Sequence, residues 1–242
     1  MPSPGLFRAA PGTTAAMCAA LILVATPWIA PATLPASTLW SIRATQDEDP
    51  AAIVERAARA YRALASFHAD FRQVISDSMV GTFESRGRLA QAGAGYLAMR
   101  FSDPAGDAIV MDGEHIWVYT PSTTPGQVIR LVIPSDPTFG PNVLAWILTN
   151  PADRYRSRYI RSDAVAGRTT DVIGMTPVDA SLPFTDAIVW LDRYDFLPRK
   201  LEIRERGGQR RVLTFAGVEI DRRSSPSLFR FEVPSGVRIV DQ

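Results

Sequence analysis

The sequence predicts a mainly β fold: an antiparallel meander of about eleven strands that curls into a barrel or half-barrel, with one helix before it and one short helix in its middle. Three observations predict it. From Phe67 onward, apolar residues recur at period two in segment after segment, with turn residues between them. Asp112-Gly113 stands between the apolar runs 108–111 and 116–119, which marks a tight hairpin. The second arm is apolar on both faces, with Ile116 and Val118 pointing one way and Trp117 and Tyr119 the other. A strand with one wet face alternates apolar and polar, so here both faces are covered or one lines something other than water.

The chain opens on a targeting segment. Arg8 is the only charge before Arg43, and 15–32 is rich in Ala, Leu, Ile and Val. This reads as a secretory signal over residues 1–36, with Ala30-Pro31-Ala32 or Ala36 at its cleavage end. The competing reading is an uncleaved anchor, against which Pro27, Pro31 and Pro35 interrupt the run. Cys18, the single cysteine, lies inside this segment behind Ala15-Ala16-Met17, a poor match to a lipoprotein cleavage site. The mature chain is then free of disulfides and thiolate chemistry, as fits a bacterial envelope protein. One domain is expected over 47–242. The net charge of +1, with arginine far outnumbering lysine, argues against a nucleic-acid binder.

Asp49-Pro50 opens a helix with an N-cap acid and proline at its first position. Ile53, Ala57, Tyr61 and Leu64 form its apolar stripe, and it ends near Ser66. Then Phe67, Ala69, Phe71 and Ile75 alternate with polar residues. Strands follow over 82–91 and 95–102, the latter setting Leu97, Met99 and Phe101 on one face. After the hairpin and a Pro125-Gly126 turn, 127–133 places Ile129, Leu131 and Ile133 together. Residues 134–141 form a loop with three prolines. Residues 142–150 read as a short helix, apolar nearly all round through Val143, Leu144, Trp146, Ile147 and Leu148. Such a helix must be buried or must cover an apolar surface. It is too short to span a membrane. Strands resume over 154–162, 169–176, 184–192 (Val189 and Leu191 on one face), 198–206 and 209–219, with Gly207-Gly208 as a hairpin turn.

The residues of enzymatic chemistry do not assemble. His68 and His115 read as partly exposed strand residues, and no serine stands in a nucleophile elbow. No His, Cys and carboxylate cluster has metal spacing, and no phosphate-binding glycine loop is present, so no catalytic residue, metal or cofactor is assigned. The arginines at 154, 156, 158 and 161 read as a solvated strand face, with an acidic docking partner as the minor alternative. What remains is excess apolar surface. Apolar strand faces and a wholly apolar short helix describe a cavity with a lid, or a core filled by its own side chains.

At this point the chain resembles the LolA family of periplasmic lipoprotein carriers over nearly everything after the signal segment. The resemblance rests on Phe71-Arg72-Gln73, Gly87-Arg88-Leu89, Asp103-Pro104 leading into 109–121, Leu191-Asp192 with Leu197-Pro198-Arg199-Lys200-Leu201, and the tail Phe229 to Gly236. It implies an open antiparallel half-barrel whose concave apolar face is closed by helices. It implies a periplasmic monomer whose cargo is lipid-modified proteins, taken from an inner-membrane ABC-type exporter and handed to a possible outer-membrane receptor. The cavity expected on this basis is lined by Leu97, Met99, Phe101, Trp117, Tyr119, Ile129, Leu131, Val189 and Leu191. Its lid is Val143, Leu144, Trp146, Ile147 and Leu148, with Ile53, Tyr61 and Leu64 from the first helix. One departure stands out. Where the family has an Arg-Pro whose arginine latches the lid, this chain has Gly93-Ala94, and the family's aromatic in that strand corresponds to Met99. The latch is therefore absent or rebuilt. Two other function classes stay open: an envelope lipid or stress sensor or regulatory module on the same fold, and a lipid-handling enzyme, which would need a convergent acid, base and nucleophile. An outer-membrane acceptor would need a lipidated cysteine near the cleavage point.

Overall fold

The computed structural model describes residues 48–93, 95–136 and 140–242. The expected signal segment 1–36, with Cys18, lies outside the described residues, as does Ala94.

Helix α1 (Pro50–Ala63) begins where Asp49 accepts a hydrogen bond from the Ala51 amide at 3.0 Å and Pro50 supplies a pre-set φ. It ends before Ser66 because tertiary bonds seize the chain. The Ala65 amide donates to Asp221 Oδ1 at 2.7 Å, and Ser66 Oγ donates to the Arg222 carbonyl at 2.7 Å. Six strands follow: β1 (Phe67–Asp77), β2 (Gly81–Ala92), β3 (Tyr96–Asp103), β4 (Ala105–Asp112), β5 (His115–Tyr119) and β6 (Gln127–Val132). Two short helices, α2 (Val143–Leu148) and α3 (Pro151–Arg154), then lead into β7 (Tyr155–Val165), β8 (Arg168–Pro177), β9 (Phe184–Asp192), β10 (Pro198–Glu205) and β11 (Arg210–Ile220). A 3-10 turn (Pro226–Phe229) precedes β12 (Arg238–Asp241).

Among the described residues these make one open sheet of twelve strands, ordered β12-β6-β5-β4-β3-β2-β1-β11-β10-β9-β8-β7. Two hairpin-linked runs, β1 to β6 and β7 to β11, meet where β1 pairs with β11. Helices α2 and α3 lie in the chain between β6, next to one edge of the sheet, and β7 at the other edge. The result is the expected half-barrel with one strand more than the sequence indicated. β12 pairs with β6 in parallel, and its four residues are too few for a periodic signal. The Asp112-Gly113 hairpin forms as expected. Asp112 Oδ1 accepts from the Glu114 and His115 amides at 3.0 and 2.8 Å, and Gly113 takes φ +96°. At the other edge β7 carries the exposed Arg156 and Arg161, charges that discourage edge-to-edge pairing.

The ladder register sorts side chains onto two faces. Gln91–Leu97–Met111–Ile116–Leu131 form one row of cross-strand partners, and Leu89–Met99–Ile109–Val118–Ile129 the next. Across the seam Phe71 partners Phe215, and Leu213–Leu201–Val189–Ile173 continue the face. This inner face and the apolar sides of α1 and α2 form one buried cluster. Phe67, Phe215, Leu97, Leu144, Ile147, Leu148, Leu191 and Leu201 are each less than 2 % exposed within it. The outer face is covered only in part, chiefly by the C-terminal segment through Phe229 and Phe231.

Candidate functional site

The inner face and its helical cover are the candidate site. Leu97, Met99, Val189 and Leu191 lie in the buried inner cluster, with Phe101 and Leu131 packed against it. Ile129 shares that face as the partner of Val118. Trp117 and Tyr119 do not line this interior, which corrects the expectation. Their partners are Val110 and Ala108 on the outer face, where both rings meet Phe231 at 5.6 Å. The alternation of β5 separates them from Ile116 and Val118. The second apolar face of the hairpin is covered by the chain's own C-terminal segment.

α2 lies on the inner face as a plug. Val143, Leu144, Trp146, Ile147 and Leu148 are all buried. The Trp146 ring stacks on Phe184 at 6.0 Å, and its indole N–H donates to the Gly140 carbonyl at 2.8 Å. The Tyr155 hydroxyl donates to the Trp146 carbonyl. From α1, Ile53 is buried in the same cluster, with Tyr61 and Leu64 at its margin. All the residues expected to form the lid are therefore gathered over the inner face.

Polar contacts fasten this cover at its rim. The Tyr61 hydroxyl donates to Gln91 Oε1. Gln91 Nε2 in turn donates to the Gly93 carbonyl at 3.2 Å. Asn142 Nδ2 donates to the Tyr61 oxygen at 3.3 Å, while Asn142 Oδ1 caps α2 through the Ala145 amide at 3.3 Å. One chain of hydrogen bonds thus links β2, α1 and α2. It ends on the backbone of Gly93, where the spacing of the resembled family leads one to expect its arginine. Burial pushes the Tyr61 hydroxyl up to about 12, against the opposing pull of its bonds to Asn142 and Gln91. At neutral pH it is a neutral donor. Arg62 adds a bond to the Leu148 carbonyl at 3.4 Å, where the C-terminal end of α2 favours a cation.

Sequence reasoning placed Asn142 at a helix start and passed over Gln91. The available signal was polarity out of phase: Gln91 follows Leu89 at period two and so falls on the apolar face.

Two voids flank this fastening. One, of about 310 Å³, lies among Tyr61, Leu64, Phe67, Gln91, Asn142 and Leu148. The other, of about 170 Å³, lies across Asn142 and is lined by Met111, Ile133 and Gly140. Among the described residues no three His, Cys, Asp or Glu side chains gather as a metal site, and no helix is long and apolar enough to cross a membrane. The site is an apolar interior occupied by α2, with a cover held at its rim by hydrogen bonds of Tyr61, Gln91, Asn142 and Arg62.

Comparison with known proteins gives a consistent set of likenesses. The family model described as "Outer membrane lipoprotein carrier protein LolA" matches residues 62–232. An outer-membrane lipoprotein carrier protein of Nitrosospira multiformis is 26% identical over 175 residues, covering 72% of this chain and 81% of that protein. One of Chromohalobacter salexigens is 24% identical over 187 residues, covering 77% and 85%. Among solved structures, an uncharacterized conserved protein from Thermus thermophilus shares the fold at a TM-score of 0.51 and 12% identity, covering 79% of this chain and 98% of that one.

Proposed function

The chain belongs to the LolA family, and from that premise we propose that it carries lipid-modified proteins across the periplasm, from the inner to the outer membrane, with their acyl chains held on the inner face of the half-barrel. The proposal includes export with removal of residues 1–36, a carrier domain over 47–242, uptake from an inner-membrane ABC-type exporter and delivery to an outer-membrane receptor. The family is one of carriers and binding proteins rather than of enzymes.

The observation that carries the proposal is the seating of α2, a six-residue helix apolar all round, on an inner face that is itself apolar. Each methylene moved from a membrane into water costs about 0.8 kcal/mol, so one sixteen-carbon chain costs about 12 kcal/mol. A lipidated protein therefore needs an apolar host to cross water. Five buried lid side chains at about 1.5–3 kcal/mol each contribute roughly 10 kcal/mol to closure. Exchange of the lid for an acyl chain is close to balanced. Such a balance permits both loading and release, as a two-state element must.

Native mass spectrometry of the mature chain from a bacterial periplasm tests this. Wild type should carry acylated cargo, or take up a synthetic triacylated lipopeptide, and Leu131→Asp should not. A wild-type protein that stays empty when offered the lipopeptide would sink the carrier proposal and move a sensor or regulatory module ahead.

A further inference from the structure

The outer face holds an arrangement that the carrier role leaves unexplained. Arg88 on β2 and Arg100 on β3 are direct cross-strand partners. Like charges in that position repel and weaken the ladder. Arg88 has Asp70 at 3.4 Å, but the side chains are 74% and 64% exposed, so the pair offsets little of the repulsion. Arg100 donates to the Arg230 carbonyl at 3.1 Å and, among the described residues, pairs with no acid. The segment after β11 passes over this pair and adds Arg222 and Arg223, of which Arg222 is held by Glu219 at 2.7 Å. Together with His68 and Leu228, these four arginines line a groove of about 580 Å³. Burial and the charge of Arg222 hold the His68 ring below its ordinary value, so at neutral pH it adds a hydrogen-bonding group, not a charge. Four arginines thus line one groove, with, among the described residues, only the carboxylates of Asp70 and Glu219 paired to two of them.

We propose that this groove docks an extended acidic segment of a partner protein, whose carboxylates pair with Arg88, Arg100 and Arg223. Guanidinium forks bind carboxylates in two-pronged fashion. The four arginines are solvent-exposed, and Arg100 is fastened to the backbone of the segment that forms one wall of the groove. An extended peptide lies along such a groove and can present several carboxylates in a row to its cationic lining. Leu228, 41% exposed, supplies an apolar contact beside the charges.

The test is fluorescence anisotropy of the mature protein with a fluorescein-labelled peptide of alternating glutamate and serine, at low and at physiological salt. Saturable binding at low salt should weaken several-fold as screening rises. Arg100→Gln and Arg88→Gln should each weaken it about threefold to tenfold, the scale of one charge-assisted contact. Arg130→Gln, which removes an outer-face arginine paired with Asp241 at 2.6 Å, should leave it unchanged. Arg88→Gln should also raise the melting temperature, because it relieves the like-charge pair. No binding at low salt, or equal loss in all three variants, overturns the proposal. So does binding to phosphatidylglycerol vesicles, but not to the peptide, that these variants abolish. Lipopeptide loading, read in the same proteins, should not respond to Arg100→Gln, so failure here is distinct from failure of the carrier proposal.

Discussion

Asn142 and Tyr61 join the two covering helices: Asn142 Nδ2, at the first turn of α2, donates to the Tyr61 oxygen on the last turn of α1 at 3.3 Å. The Tyr61 hydroxyl passes the link to Gln91 on the sheet. A relay of neutral side chains suits the opening cover that the carrier proposal requires. It fixes geometry by direction, and each bond contributes only about 0.5–1.5 kcal/mol net.

Tyr61→Phe should therefore loosen the lid without unfolding the sheet. It leaves Gln91 and Asn142 short of a partner, at a cost of about 1–3 kcal/mol, or roughly fivefold to 150-fold in the open population. Hydrogen exchange at the amides of 143–148 should speed up by that factor while the amides of β1 and β11 hold. Unchanged exchange in α2 would show that the relay does not fasten it.

Ile147→Ala separates lid packing from sheet packing. Ile147 is 1% exposed and stands on α2, so a loss of about 2–5 kcal/mol should fall on closure. Phe215→Ala, at the seam of the sheet, should instead cost about 3–5 kcal/mol of global stability. An apolar dye should bind Ile147→Ala more than wild type at matched folded fraction. A cooperative unfolding midpoint lowered as far by Ile147→Ala as by Phe215→Ala would contradict a separable lid.

The two faces of β5 should behave independently. Phe231→Ala removes the ring stacked on Trp117 and should cost about 0.5–1.5 kcal/mol beyond its lost burial, with a change in indole fluorescence. Lipopeptide uptake should persist in that variant and vanish in Leu131→Asp. Loss of uptake on removing Phe231 would place the binding face on the wrong side.

Acid should weaken the fold through Asp192. Burial alone would raise its carboxyl, but hydrogen bonds from Arg168 and the Tyr194 amide, with the charges of Arg199 and Arg168, outweigh it and hold the group below its ordinary 3.8. A depressed folded value means stabilisation that is complete above the unfolded value and lost as pH falls through the folded one. Chemical-denaturant midpoints should thus be flat above about pH 5 and decline below about pH 4. Asp192→Asn should lower stability at neutral pH and flatten the acid limb; an acid limb as steep as that of wild type would assign it to other groups.

How much of this was legible in the sequence follows from what each signal is made of. Period-two alternation set the inward residues of β3 and β9 correctly, because Leu97, Met99 and Val189 stand in segments with a polar opposite face or a clear neighbour row. It was silent for β5, where Ile116, Trp117, Val118 and Tyr119 are all apolar and either face could be the interior. Only the return of Phe231 to Trp117, more than a hundred residues along the chain, decided it. β12 escaped because its four residues pair in parallel with β6, a partnership no local pattern encodes.

The sequence by itself determined the strands and most of their turns, the start of α1, the apolar plug of α2 and the family to which the chain belongs. These are local properties: alternation, caps, turn residues and the order of short motifs. The tertiary structure alone decided which apolar face is the interior and which side chains link α1 and α2 to the sheet. It also brought Arg88, Arg100, Arg222 and Arg223 to one groove. Each of these depends on residues far apart in sequence meeting across the sheet. Such meetings are set by register and by the path of the returning chain, which hydrophobic period cannot report.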